Sequence, residues 1–174
     1  MPYNTYIDES ARSGYILAGV NVPQSQQNAI RRVLRNLRAP DSSHIHMYRE
    51  SRGRQEMISK VVAELDLKAW VISVAPETAK EPQARNLAMK CISEIQSIRS
   101  SGILTLDNIN RYRADNSILR EIAQNSDFQF PHYRHMNSRH EPLLWLPDII
   151  AWCYGRGGPW RDTVEPLVTE VIEI

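Results

Sequence analysis

The amino-acid sequence predicts an α/β protein built on a mixed five-stranded sheet flanked by helices. Residues 5–10 and 14–22 are rich in β-forming side chains and are joined by a short turn, which predicts an antiparallel hairpin. Later strands at 68–75, 103–107 and 128–136 alternate with segments of helical periodicity. Because a helical crossover joins parallel strands, the sheet should combine antiparallel and parallel pairs.

Helices are predicted where apolar residues recur at helical spacing. These segments are residues 24–38, 52–65, 82–100, 114–125, 141–152 and 160–174. Gly102 is expected to end the third of them. The first two form a helical insertion, at about residues 24–65, between the second and third strands. The remaining order, βββαβαβα, is that of a ribonuclease H-like mixed sheet, in which the first and fourth strands are parallel neighbours. Residues 1–174 are predicted to form one such domain.

Composition places the chain among ordinary globular proteins. Of its 174 residues, 42% are hydrophobic and 24% are charged. No apolar run is long enough to cross a bilayer, and the first residues do not resemble a signal peptide. The two cysteines form no paired motif, so we expect reduced thiols and a cytoplasmic location. The net charge of +1 does not by itself indicate a nucleic-acid partner.

Three aspartates are the candidate metal ligands. Asp8 lies at the carboxyl end of the first predicted strand and Asp107 at that of the fourth, so the two carboxylates should be neighbours at one edge of the sheet. Asp148 lies in an otherwise apolar helical segment and is the third candidate. Adjacent carboxylates repel each other unless a cation lies between them, and oxygen ligands suit Mg²⁺ or Mn²⁺. Each acid also has a structural alternative, as a turn residue, a helix cap or an ion-pair partner.

Glu9 and His46 are the other candidate catalytic residues. Neighbouring side chains on a strand face opposite sides, so Glu9 joins Asp8 only if the strand ends or bulges there. His44 and His46 share one side of a short extended stretch, where a histidine can contact phosphate or carry a proton. A structural histidine is the alternative for both.

Arginines supply the candidate nucleic-acid contacts. Seven of them lie between residues 31 and 54, at positions 31, 32, 35, 38, 49, 52 and 54. Arginine binds phosphate with two parallel hydrogen bonds, so this block predicts a phosphate-facing surface; a solvated helix face is the alternative. The residues that we assign to nucleic-acid binding are Arg49, Arg52, Arg54 and Arg139.

Four motifs resemble a bacterial group of ribonuclease H-like proteins known as domain of unknown function 3800. They are Tyr6-Ile7-Asp8-Glu9-Ser10, His44-Ile45-His46-Met47, Leu104-Thr105-Leu106-Asp107, and Ser138-Arg139 followed by Leu144-Trp145-Leu146-Pro147-Asp148-Ile149-Ile150-Ala151. The resemblance implies a metal-dependent phosphodiesterase site at Asp8, Asp107 and Asp148, with Glu9 and His46 as further candidates. Ala11, Trp145 and Pro147 depart from the group's usual residues.

Two hypotheses about function follow. The first is a nuclease that cleaves DNA or RNA with Mg²⁺ or Mn²⁺ bound to the three aspartates. The second is an inactive ribonuclease H-like module that binds or regulates a partner, for instance in phage defence, through exposed aromatic residues near the C-terminus. A phosphate-accepting signalling domain suits the opening hairpin poorly. Nucleic acid is the expected partner, a membrane is not, and a homodimer is left open.

Overall fold

The computed structural model describes residues 1–12, 14–107 and 112–174. Its strands are β1 Tyr3–Ser10, β2 Tyr15–Pro23, β3 Lys68–Val74, β4 Ser101–Asp107, β5 His132–Met136 and β6 Val168–Glu173. Its α-helices are α1 Gln27–Leu37, α2 Arg52–Ala63, α3 Gln83–Lys90, α4 Tyr112–Asn125, α5 Trp145–Arg156 and α6 Gly158–Val164. No helix in these ranges is both long and apolar enough to cross a membrane.

The six strands form one mixed sheet in the order β5-β4-β1-β2-β3-β6. β1, β2 and β3 are antiparallel neighbours, whereas β4 runs parallel to β1 and β5 runs parallel to β4. These pairings confirm the predicted hairpin and the parallel contact between the first and fourth strands. The predicted strand count was wrong, because β6 adds a sixth strand parallel to β3.

Helices cover both faces of the sheet, and successive residues of β1 belong to different cores. Tyr6 packs into the core under α1, α2 and α5. Ile7 packs into the core under α3 and α4. Since strand side chains alternate between faces, the same rule fixes the face of every later residue on β1.

The predicted helix over residues 160–174 was wrong in its second half. The helix α6 ends at Val164, and β6 follows a short 3₁₀ turn at Glu165–Leu167. Pro166 cannot continue a helix, and the next six residues are rich in β-branched side chains that alternate between half-buried and exposed. This alternation with period two is a strand pattern that the helical interpretation overlooked.

The predicted helix over residues 82–100 also needed correction. α3 ends at Lys90, and 3₁₀ turns cover Ile92–Glu94 and Gln96–Ser100. Buried isoleucines at positions 92, 95 and 98 recur every three residues, a spacing that a 3₁₀ turn places on one face. Gly102 does not end a helix but lies inside β4, where the β1–β4 register shifts by one residue.

The aromatic residues near the C-terminus are core residues. Trp145, Trp152 and Tyr154 are buried beneath the sheet, and Trp160 packs against the same core. The exposed aromatic surface expected for a binding module is therefore not formed by these side chains.

Gly19→Ala is expected to destabilise the protein by about 1–3 kcal/mol or more, as overpacked core substitutions do. A methyl group at Gly19 on β2 would collide with the indole ring of Trp70, which is fully buried. Urea unfolding measures the change. Gly53→Ala is the matched control, since nothing lies within 4 Å of its new methyl group. Equal stability of the two variants would contradict the prediction.

Candidate active site

A cleft of about 390 Å³ opens at the carboxyl ends of β1 and β4, on the face covered by α5. It brings together candidate residues that are far apart in the sequence. Those lining it are Asp8, Glu9, His46, Arg49, Asp107, Arg139 and Asp148. The volume is within the usual range for small-ligand sites.

Strand register places two of the acids side by side. β1 and β4 pair Tyr6 with Thr105 and Ile7 with Leu106. The next step of this register sets Asp8 beside Asp107, both on the face of the sheet that α5 covers. Asp148, in the first turn of α5, approaches from above that face.

The electrostatics of Asp8 show that the three acids are close. The pKa of Asp8 is raised well above its ordinary value, first by burial and then by the charges of Asp148 and Asp107. A hydrogen bond from the Glu9 backbone N–H to Asp8 Oδ1, at 2.7 Å, opposes this shift. Ionising all three carboxylates is therefore unfavourable unless a positive charge joins them.

Asp148 holds the histidine segment against α5. Its Oδ1 lies 3.1 Å from His46 Nδ1, and its Oδ2 accepts a hydrogen bond from the Met47 backbone N–H at 2.9 Å. The hydrogen bond to Asp148 raises the pKa of His46 against the opposing effect of burial. The predicted extended segment lies over residues 44–46, and a 3₁₀ turn begins at Met47.

Asp107 holds the segment that carries Arg139. Its Oδ1 accepts a hydrogen bond from the Ser138 backbone N–H at 3.2 Å. The indole of Trp145 donates to the Ser138 carbonyl at 2.6 Å, which fixes this segment to the start of α5. Pro147 lies in the first turn of α5, where no N–H is required, so it does not break the helix.

The donor chemistry of the three acids fits a hard divalent cation. In the ranges 1–12, 14–107 and 112–174, no three His, Cys, Asp or Glu side chains form a preassembled metal cage. Mg²⁺ does not require one, because it keeps several waters and binds through one or two carboxylates together with substrate phosphates. Asp8, Asp107 and Asp148 are the residues that could supply the oxygens and negative charge for such binding.

The carboxylate of Glu9 belongs to a different cluster, on the other face of the sheet. Its Oε2 forms a close ion pair with Arg85 Nη1, 2.6 Å away, without hydrogen-bond alignment. Arg85 also binds Asp115 through two hydrogen bonds of 3.0 and 2.6 Å, and His135 contacts the same acid at 3.2 Å. Burial alone would raise the pKa of Asp115, because it disfavours the charged carboxylate. The hydrogen bonds from His135 and Arg85 outweigh this effect and lower the pKa. Strand alternation therefore separates Glu9 from the three aspartates.

The predicted arginines divide into two groups. Arg49 and Arg139 line the cleft, whereas Arg52 and Arg54 do not. Arg52 pairs with Glu56 on the exposed surface of α2. Arg54 binds Glu50 at 2.7 Å and the Leu37 carbonyl at 2.6 Å.

Two cleft residues, Arg12 and Tyr48, were not identified from the sequence. Tyr48 lies inside the 3₁₀ turn at Met47–Arg49, directly after the extended stretch, so strand alternation did not predict its place in the cleft. Arg85 carried no local signal, because its partners lie in other elements.

The fold resembles that of a known nuclease. The chain aligns with the ribonuclease HII structure from the PCNA:RNase HII complex of Archaeoglobus fulgidus, with a TM-score of 0.56 and 21% identity. The alignment covers 86% of this chain and 69% of that one. The chain has a nuclease-like α/β fold. No protein-family model and no curated protein sequence matches it.

Asp8→Asn is expected to raise the melting temperature of the metal-free protein near pH 7. Folding raises the pKa of Asp8 above the unfolded value of 3.8. The contribution of this carboxyl to the free energy of unfolding is therefore fully present below pH 3.8. It is lost as the pH rises through the folded pKa. Asparagine stays neutral and keeps an Oδ1 acceptor for the Glu9 N–H.

Melting curves in EDTA between pH 4 and 8 test this expectation. The difference between variant and parent should widen with pH, by about 2–4 °C for each kcal/mol of relieved repulsion. A difference that is independent of pH would contradict it.

Arg85→Met is expected to destabilise the protein by about 3–5 kcal/mol, because it leaves buried carboxylates without their cation. Arg85 and Asp115 are 3% and 0% exposed. Arg52→Met, which removes an exposed pair, should cost less than about 1 kcal/mol. Urea unfolding measures the free energy of unfolding of both variants. Similar losses of stability would show that the buried cluster contributes no more than an exposed ion pair.

Proposed function

We propose that this protein is a metal-dependent phosphodiesterase that cleaves DNA or RNA. The observation that carries the proposal is the convergence of Asp8, Asp107 and Asp148 in one cleft, close enough for two of them to raise the pKa of the third. Arg49 and Arg139 line the same cleft and supply positive charge for a phosphate.

Each residue has a role in this proposal. The three aspartates would hold Mg²⁺ or Mn²⁺, which would supply a nucleophilic water and stabilise the leaving oxygen of the phosphodiester. Arg139, held through the Ser138 contact to Asp107, and Arg49 bind the flanking phosphates. His46 fixes one oxygen of Asp148 and leaves its second ring nitrogen for the substrate. Glu9 acts with Arg85 rather than as a ligand.

Two likenesses support the proposal. The structural neighbour is a ribonuclease, so its fold already serves nucleic-acid chemistry in another protein. The four motifs that resemble domain of unknown function 3800 include all three aspartates, and we propose that the chain is a member of that group. Nucleic acid is then the partner of the cleft.

The proposal is tested with end-labelled single- and double-stranded DNA and RNA in Mg²⁺ or Mn²⁺. Asp8→Asn should lower the cleavage rate by at least about 100-fold, since a catalytic metal contributes several kcal/mol and each 1.36 kcal/mol is tenfold. Asp127→Asn is the control, because that acid is exposed, pairs with Arg99 and does not line the cleft. Asp148→Asn is less clean, since its amide keeps both contacts only if the oxygen accepts from the Met47 N–H and the NH₂ donates to a His46 that accepts at Nδ1.

A second readout does not depend on activity. Mg²⁺ or Mn²⁺ should raise the melting temperature of the parent with increasing concentration, and should do so less for Asp8→Asn. A parent that neither cleaves any substrate nor responds to metal would exclude the phosphodiesterase and favour the inactive binding module.

A further inference from the structure

The segment from His44 to Tyr48 presents three rings to the cleft. Ile45 and Met47 are buried in the core beneath α5, whereas His44, His46 and Tyr48 face outward between them. The chain is extended at His46, and in the 3₁₀ turn at Met47–Arg49 the Met47 side chain stays buried while Tyr48 is exposed. We call His44, His46 and Tyr48 the ring row.

The rings lie at contact spacing along the cleft wall. The His44 and His46 centroids are 6.4 Å apart and nearly parallel, at 22°. The His46 and Tyr48 centroids are 6.1 Å apart and edge-on, at 72°. The guanidinium of Arg12 lies over the Tyr48 ring. His46, in the middle of the row, contacts Asp148, and His44 and Tyr48 lie on either side of it.

The ring row also borders a second depression. This smaller hollow, of about 220 Å³, shares His44, His46 and Arg49 with the main cleft. Its far side is formed by residues 39, 41 and 42, beyond the end of α1. The second hollow therefore adjoins the main cleft at His44 and His46, whereas Tyr48 lines the main cleft alone.

The row is held in place from beneath without any ligand. Asp148 binds His46 and the Met47 N–H, and Gln55 Nε2 donates to the Met47 carbonyl at 2.8 Å. Ser42 Oγ donates to the His44 carbonyl at 2.7 Å. Tyr48 is nevertheless 49% exposed, so its ring contributes little to the core. A fixed segment that holds exposed rings is suited to binding flat ligands.

We propose that the ring row binds unpaired bases of a single-stranded nucleic acid whose backbone passes over the three aspartates. The inference rests on the proposed function and narrows it to a substrate class. Aromatic side chains stack on any base whose face is free, whereas in a duplex each base face is covered by its neighbours. Arg12, Arg49 and Arg139 surround the row and attract the phosphates.

Binding is measured by fluorescence anisotropy with labelled single-stranded DNA, single-stranded RNA and duplex DNA, using the full chain in EDTA so that hydrolysis does not interfere. The parent should bind the single strands more tightly than the duplex. Tyr48→Ala should weaken single-strand binding by about 5- to 150-fold, the range that loss of one stacked base produces. Tyr48→Phe keeps the ring and should bind nearly as the parent does.

Tyr112→Ala is the matched control. Tyr112 is 44% exposed and has the Arg113 guanidinium near its ring, but it does not line the cleft. Its loss should leave binding unchanged. Melting curves of both alanine variants confirm that they are folded, which is expected because both rings are exposed. Equal single-strand affinity of Tyr48→Ala and the parent, or tighter binding to duplex, would overturn the inference.

The assay separates this inference from the proposed function. If Tyr48→Ala loses single-strand binding but the parent neither cleaves any substrate nor gains melting temperature in Mg²⁺ or Mn²⁺, the ring row binds nucleic acid and the phosphodiesterase is excluded. If the parent cleaves duplex and Tyr48→Ala cleaves and binds equally well, the phosphodiesterase stands and the ring-row inference fails. Comparison of the DNA and RNA arms identifies the sugar that is bound.

Discussion

The site depends on the carboxylate of Asp148. One of its oxygens contacts the His46 ring and the other accepts from the Met47 N–H, so a single buried side chain joins the segment before α2 to the start of α5. Hydrogen bonds to an ionised, buried acceptor are stronger than neutral ones, and leaving one unmade is costly. Without this acid, the His46 ring would lose its contact to α5 and the segment would keep only its backbone contacts to Ser42 and Gln55 and the buried side chains of Ile45 and Met47. Asp8 would also lose one of the charges that raise its pKa.

A second constraint acts within the sheet. Between Tyr3 and Thr5, β1 advances two residues while β4 advances three, and Asn4 Oδ1 accepts from the Ile103 N–H across this bulge. A side chain at Gly102 would collide with Asn4, so glycine suits this position. A shift of one residue turns a strand's side chains to the opposite face. Without the bulge, Asp107 would lie beside Glu9, on the wrong side of the sheet for Asp8.

These two constraints explain how much the sequence could predict. Strand order follows from hydrophobic pattern and crossover rules, so a strand ending in Asp8 could be placed beside one ending in Asp107 before the structure was known. The bulge at Gly102 could not be predicted from the sequence, because glycine is also common at the end of a helix. The role of Arg85 could not be predicted for another reason. It lies in α3, while its partners Glu9 and Asp115 lie in β1 and α4. Only folding brings these charges together.

Asp8 and Glu9 show why the two faces of the sheet serve different purposes. Glu9 meets Arg85, a permanent cation that is buried with it. Asp8 faces two more acids, and within the described ranges it forms no ion pair with an arginine or lysine. An arginine beside Asp8 would neutralise the charge of its carboxylate but would occupy the carboxylate oxygens. Under the proposed function, a cation that exchanges with solvent would relieve the same repulsion and leave room for a phosphate, so the cleft face would suit chemistry, whereas the Arg85 face suits stability.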